Sequence, residues 1–174
     1  MSELGETHPM PTEVAREIAR QGEARLIALM ALATASDLRA TTLCGIFGAS
    51  SVAIAAAVLS SIASGHGILR LSLTGGIVAF GLFFAALIAA HAGAPRDLFI
   101  AGGNPDILRE WSWDAGKWRS QTDMLDATAC RYAKSIAANR ELLELGSRRI
   151  IAALSVAGAS VPIGILAFFL QAII

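Results

Sequence analysis

The sequence predicts an all-α integral membrane protein with three transmembrane helices, an N-terminal amphipathic helix and a long cytoplasmic helix. Three observations carry that prediction. The chain of 174 residues is 55% hydrophobic and only 16% charged, with a mean hydropathy of +0.59, which is too apolar for an ordinary soluble domain. Its apolar residues are gathered into three uncharged runs, each long enough as a helix to cross a hydrocarbon core of about 30 Å. No comparable pool remains for a separate water-soluble core, so a conventional soluble enzyme, a secreted disulfide scaffold and a disordered tail are all excluded. The 14 basic and 14 acidic side chains cancel, which argues against nucleic acid as a partner, because phosphate binding needs an excess of Lys and Arg.

Residues 1–39 form the first segment, polar and mixed in charge. Pro11 precedes Thr12, which is placed to act as the N-cap, and Glu13 suits the first turn. Val14, Ile18, Arg25, Leu26, Leu29 and Ala33 recur at helical steps, apart from a break at Gly22. This describes an amphipathic helix running into the first span, with Asp37 and Arg39 at the membrane boundary. No charged n-region is followed at once by an apolar h-region, so the first span is expected to remain in the mature protein.

Residues 40–92 read as a hairpin of two spans, 40–63 and 71–92, joined by the short link Ser64 to Arg70. Residues 150–174 hold the third span, entered through Arg148 and Arg149, with Pro162 as a potential kink. Between the hairpin and the third span, residues 93–149 carry breakers at Ala94-Pro95, Gly102-Gly103 and Asn104-Pro105, which forbid one long helix there. Trp111, Trp113 and Trp118 cluster in this stretch, suited to an interfacial anchor or to a stacking platform. From Ser120 to Arg149 a long helix is expected, with Leu125, Ala129, Tyr132, Ile136, Leu143 and Gly146 on its buried stripe. Lys and Arg crowd the N-terminal and central segments, while the hairpin link has Arg70 alone. The positive-inside rule then puts the N-terminus and the central segment in the cytoplasm and the C-terminus outside.

Gly45, Ala49, Ala53 and Ala57 recur at spacing four along the first span, and Ala153 and Ala157 on the third. Small residues at that spacing let helix backbones approach closely in lipid, either within one chain or in a homo-oligomer. None of the spans holds a charged residue in its middle, which counts against a proton relay. His8, His66 and His91 are scattered and assemble no catalytic grouping, and Cys44 and Cys130 have no metal-ligand spacing. Neither an enzyme nor a cofactor is therefore expected. The polar face of the long helix carries Arg131, Lys134 and Arg140, balanced by Asp123, Asp126, Glu141 and Glu144. These cations either sit in a salt-bridged surface or line a pocket for an acidic ligand or anionic headgroups. Pro95, Arg96, Gly102 and Gly103 offer a turn whose backbone donors face an anion, but no GxxxxGK[ST] or GxGxxG motif accompanies them.

The order of these elements resembles that of the membrane effectors of bacterial Pycsar antiphage systems. The match rests on Ala35-Ser36-Asp37-Leu38-Arg39-Ala40 opening the first span, on Pro95-Arg96 after the second, and on the helix SIAANRELLELGSRRIIAAL running into the third. Arg39 stands where the family's pattern leads one to expect Lys, and Asn139 where a Lys is common. The resemblance implies a protein held inactive until a partner nucleotide cyclase makes cyclic CMP or cyclic UMP, after which the spans reassemble and impair the membrane. It implies Arg131, Lys134 and Arg140 as candidates for the phosphate, and Asp37 and Arg39 as the coupling point to the first span. The alternative is a small structural or accessory subunit of a larger membrane complex, in contact with membrane lipids and with no ligand of its own.

Overall fold

A computed structural model describes residues 11–64, 69–94, 97–102, 113–114, 117–118 and 120–173. The chain is all-α, built on helix α1 (Thr12–Ala63), helix α2 (Leu69–Ala92) and helix α3 (Gln121–Ile173). Each of the three is long and apolar enough to cross a membrane. Two residue pairs, β1 (Trp113–Asp114) and β2 (Lys117–Trp118), form a minimal antiparallel ladder before α3.

The expected N-terminal helix and the first span are a single helix of 52 residues, about 78 Å long at 1.5 Å per residue. The stretch from Thr12 to Ala63 holds no proline and is rich in Ala, so Gly22, Gly45 and Gly48 lower its helix propensity without ending it. Its start differs by one residue from expectation. Pro11 takes the cap position, its carbonyl accepting from Ala15 N at 3.1 Å, and Thr12 lies inside the first turn with its hydroxyl 2.8 Å from that of Thr122. The expected long helix from Ser120 and the expected third span likewise join in α3, which continues through Pro162. A reciprocal cap starts α3: Asp123 N donates to Ser120 Oγ at 3.2 Å, and Ser120 Oγ donates to Asp123 Oδ2 at 2.6 Å.

The chain divides into two compact units, one of Met1–Leu32 with Asp97–Glu141 and the other of Ala33–Arg96 with Leu142–Ile174. In the first unit the beginnings of α1 and α3 pack through small residues. Ala15, Ala19 and Leu26 are buried, whereas Val14 and Ile18, expected on the inner face, are 47% and 44% exposed. The reason is Tyr132: a Cβ on Gly22 would lie 3.1 Å from its side chain, so the face of α1 that meets this ring must be thin. Tyr132 is buried as expected, and Leu125, Ala129 and Ile136 are half-buried.

The second unit holds the membrane-length parts of the helices, with α2 packed against both α1 and α3. Ser51 Oγ donates to Ala79 O at 2.8 Å, a buried bond from α1 to α2. Close approach is again made by glycines. A Cβ on Gly75 would meet Val58 Cγ2 at 2.6 Å, one on Gly81 would meet Ser160 Cβ at 2.5 Å, and one on Gly164 would meet Val78 Cγ2 at 2.6 Å. Ala153, Ala157 and Ser160 are buried on α3, as small-residue packing within the chain requires. Large side chains such as Ile46, Val52, Leu59, Phe80, Leu87, Ile151 and Phe169 point outward, an arrangement suited to lipid rather than to water.

Candidate functional site

Within the first unit, an open cleft of 520 Å³ is lined by Phe99, Ile100, Gly102, Arg131, Lys134, Ser135 and Ala138. That volume is in the range of small-molecule sites, about 300–1,000 Å³. Positions 131, 134, 135 and 138 share one face of α3, because residues three, four and seven apart stack along a helix. The opposite wall is an extended strap, residues 97–102, which the sequence leaves as a loop after the Pro95 breaker.

Asn139 fixes the strap. Its Oδ1 accepts from Phe99 N at 2.9 Å and its Nδ2 donates to Phe99 O at 2.9 Å, so one amide side chain imitates a strand partner. With 1% exposure, Asn139 is among the most buried side chains in the chain, and both ends of its amide are satisfied. Three residues further on, Arg131 Nη2 donates to Gly102 O at 2.9 Å. Gly102 has φ +94°, a backbone angle that non-glycine residues rarely adopt.

Arg131 and Lys134, two of the three cations singled out on the polar face, thus line one cleft, while Arg140 is outside its lining. An exposed ion pair lies elsewhere on this unit, between Arg20 and Glu17 on α1 at 2.8 Å. Hydrogen bonds from Arg20, joined by one from Gln21, lower the Glu17 carboxyl from 4.5 to about 2. The cleft combines a guanidinium and an ammonium with an exposed aromatic ring, Phe99, and an exposed aliphatic side chain, Ile100. Such a set can hold an anionic group at the cations and a flat apolar or aromatic group on the strap. Among the described residues no group of three or more His, Cys, Asp and Glu is arranged to hold a metal ion.

The remaining sequence candidates fall as follows. Asp37 is half-buried and Arg39 exposed in the second unit, on α1. Asp37 O accepts from Thr41 Oγ1 at 2.9 Å, and a Cβ on Gly93 would lie 3.5 Å from that same carbonyl oxygen and 3.2 Å from Ala40 Cβ. The end of α2 therefore rests on the Asp37–Thr41 turn. Gly45, Ala49, Ala53 and Ala57 are exposed on α1, and a Cβ on Gly45 would meet nothing within 4 Å. This stripe does not form the packing face within the chain, which instead uses Ser51, Ile54 and Val58 toward α2. Trp113 pairs with Trp118 across the β1–β2 ladder, while Trp111, Pro95, Arg96, Gly103, His8 and His66 lie outside the described residues. Sequence reasoning missed Asn139 as a site residue. The signal for it is a seven-residue series on α3, Tyr132, Asn139, Gly146, Ala153 and Ser160, all buried, in which Asn139 is the amide.

Set against protein-family models, curated proteins and solved structures, the chain matches none.

Proposed function

We propose that this chain is an inner-membrane effector that senses a cyclic nucleotide second messenger and then impairs membrane integrity, in the manner of abortive infection against phage. The observation that carries the reading is the convergence of Arg131 and Lys134 with Phe99 on one cleft, in a chain whose helices are otherwise long and apolar enough to span a membrane. A cyclic pyrimidine mononucleotide, cyclic CMP or cyclic UMP from a partner cyclase, has the matching chemistry: one phosphodiester charge for the cations and one flat base for the ring. The Pycsar resemblance of the Asp37–Arg39 segment and of the helix entering the third span supports the same reading, with Asp37 and Arg39 as the coupling point. The Lys and Arg distribution supports a cytoplasmic N-terminus and cleft and an outward C-terminus.

Self-assembly belongs to this proposal. Only 6% of the most apolar stretch of α1 is buried within the chain, against 28% for α2 and 22% for α3. The Gly45–Ala57 stripe on this exposed span is suited to a second copy, since small residues admit a helix at short distance.

The test is membrane potential in bacteria expressing the full chain, read with a voltage-sensitive dye with and without a co-expressed pyrimidine cyclase. Cyclase-dependent depolarisation that is lost in Arg131→Ala and Lys134→Ala is expected. An unchanged potential at confirmed expression would refute the effector reading in favour of an accessory subunit, to be pursued through copurifying proteins.

A further inference from the structure

The strap that walls the cleft is held at its two ends by unlike contacts. At Phe99 both backbone groups are bonded to Asn139, a side chain buried from solvent. At Gly102, among the described residues, the bond is a single one, from Arg131 Nη2 to the carbonyl oxygen, at an exposed position. The carbonyl reaches Arg131 because Gly102 takes φ +94°. Space does not reserve this position for glycine, since a Cβ there would meet nothing within 4 Å. The backbone angle alone does.

We infer that the Gly102 carbonyl is a built-in competitor for the anion site of the cleft, and that a phosphodiester ligand binds by displacing it from Arg131. This rests on the reading of the cleft as a ligand site. A phosphate carries the charge opposite to the guanidinium and can take two parallel N–H bonds from it, whereas the carbonyl is neutral and takes one, so the exchange favours the ligand. Lys134, one turn along on the same cleft wall, adds a second charge on the ligand side of the exchange. The strap then swings about Phe99, which Asn139 retains. Ligand affinity is thereby tied to the position of the strap, and a ligand shifts a conformational equilibrium only through such a difference between states.

This makes an unusual prediction for a residue lining a binding site: spoiling Gly102 strengthens binding. Ala at a positive φ is strained and a β-branched residue more so, whereas Asn tolerates the region. The closed turn loses stability in that order. Dissociation constants for the ligand should fall about tenfold in Gly102→Ala and further in Gly102→Val, with Gly102→Asn near the parent. Arg131→Ala should bind more weakly than any of them.

The experiment is calorimetric titration of the purified full chain and these variants in zwitterionic detergent, with helix content checked by circular dichroism. Two probes carry the same phosphodiester monoanion: cyclic CMP as a free nucleotide and short-chain phosphatidylglycerol as a lipid headgroup. Graded tightening toward cyclic CMP supports both the competition and the nucleotide reading. Graded tightening toward phosphatidylglycerol alone supports the competition and overturns the nucleotide. If the parent binds cyclic CMP and Gly102→Ala and Gly102→Val bind it equally or more weakly, the competition is refuted and the nucleotide reading stands. Absence of binding by either probe in every variant overturns both.

Discussion

Gly81→Ala is a sharp probe of how the membrane-length helices are held together. The added methyl carbon would sit 2.5 Å from Ser160 Cβ and 3.6 Å from Ser160 Cα, where carbon atoms prefer about 3.5–4.0 Å. Ser160 Cβ is fixed by its own backbone, so no rotamer change removes the clash, and α2 and α3 must separate by roughly 1 Å or more to accommodate it. Overpacking of this kind costs about 1–3 kcal/mol. Alanine is itself the better helix former, by about 0.8–1.0 kcal/mol in water, so the clash must be read against a glycine with room. Gly76, on the same helix, is that reference, because a Cβ there meets nothing within 4 Å. The assay is unfolding of the purified chain by SDS in mixed micelles, followed by circular dichroism. Gly81→Ala should unfold more readily than Gly76→Ala by about 1–3 kcal/mol, and Ser160→Gly in the Gly81→Ala background should restore most of the loss, as contacting residues couple in a double-mutant cycle. Equal stability of Gly81→Ala and Gly76→Ala, or no rescue by Ser160→Gly, would show that the Gly81–Ser160 contact does not hold these helices.

Other expectations test single contacts. Ser51→Ala removes the 2.8 Å bond to Ala79 O and should cost about 0.6 kcal/mol and at most about 1.7 in the same SDS titration, the measured span for interhelical bonds in membranes; no loss would mean the bond is replaced on α2 alone. Asn139→Ala removes both partners of the Phe99 backbone, so hydrogen exchange at the Phe99 amide should accelerate by an order of magnitude or more at about 1–3 kcal/mol for the orphaned groups, and unaltered exchange would rule out Asn139 as the clamp. Glu17 has its folded carboxyl lowered to about 2 from 4.5, chiefly by its hydrogen bonds from Arg20, so any stabilisation from it is present above about pH 4.5 and is lost as the pH falls toward 2. Exposure of both partners to solvent screens that contribution, and Glu17→Gln should leave the thermal midpoint at neutral pH unchanged; a clear drop would show that the surface pair holds α1 in place.

Much of this architecture is written locally. Three uncharged runs spell three spans whatever they pack against, because transfer out of water depends on the side chains of the run itself. Arg131 and Lys134 are likewise legible as neighbours, since a spacing of three puts them on adjacent turns of one helix. Helical continuity through Asp37 and through Arg148–Arg149 is consistent with the same local rules: charges flank the apolar runs, but they do not end a helix.

What needed the tertiary structure is the choice among faces and the meeting of distant segments. Gly45, Ala49, Ala53 and Ala57 have the spacing of a packing stripe, yet α2 is seated on Ser51, Ile54 and Val58 instead, because a spacing-four pattern does not say which of several thin faces the neighbour takes. Val14 and Ile18 satisfy helical periodicity and still face outward, since the bulk of Tyr132 demands Gly22 and small residues opposite it. The cleft itself arises only when the strap at Phe99–Gly102 comes onto α3, where Asn139, buried and easily passed over in sequence, supplies the strand-like pairing. Composition and period fixed which segments leave water and in what secondary structure; the fit of individual side chains across the packed helices decided which residues meet, because contact depends on shape at distances that no single segment encodes.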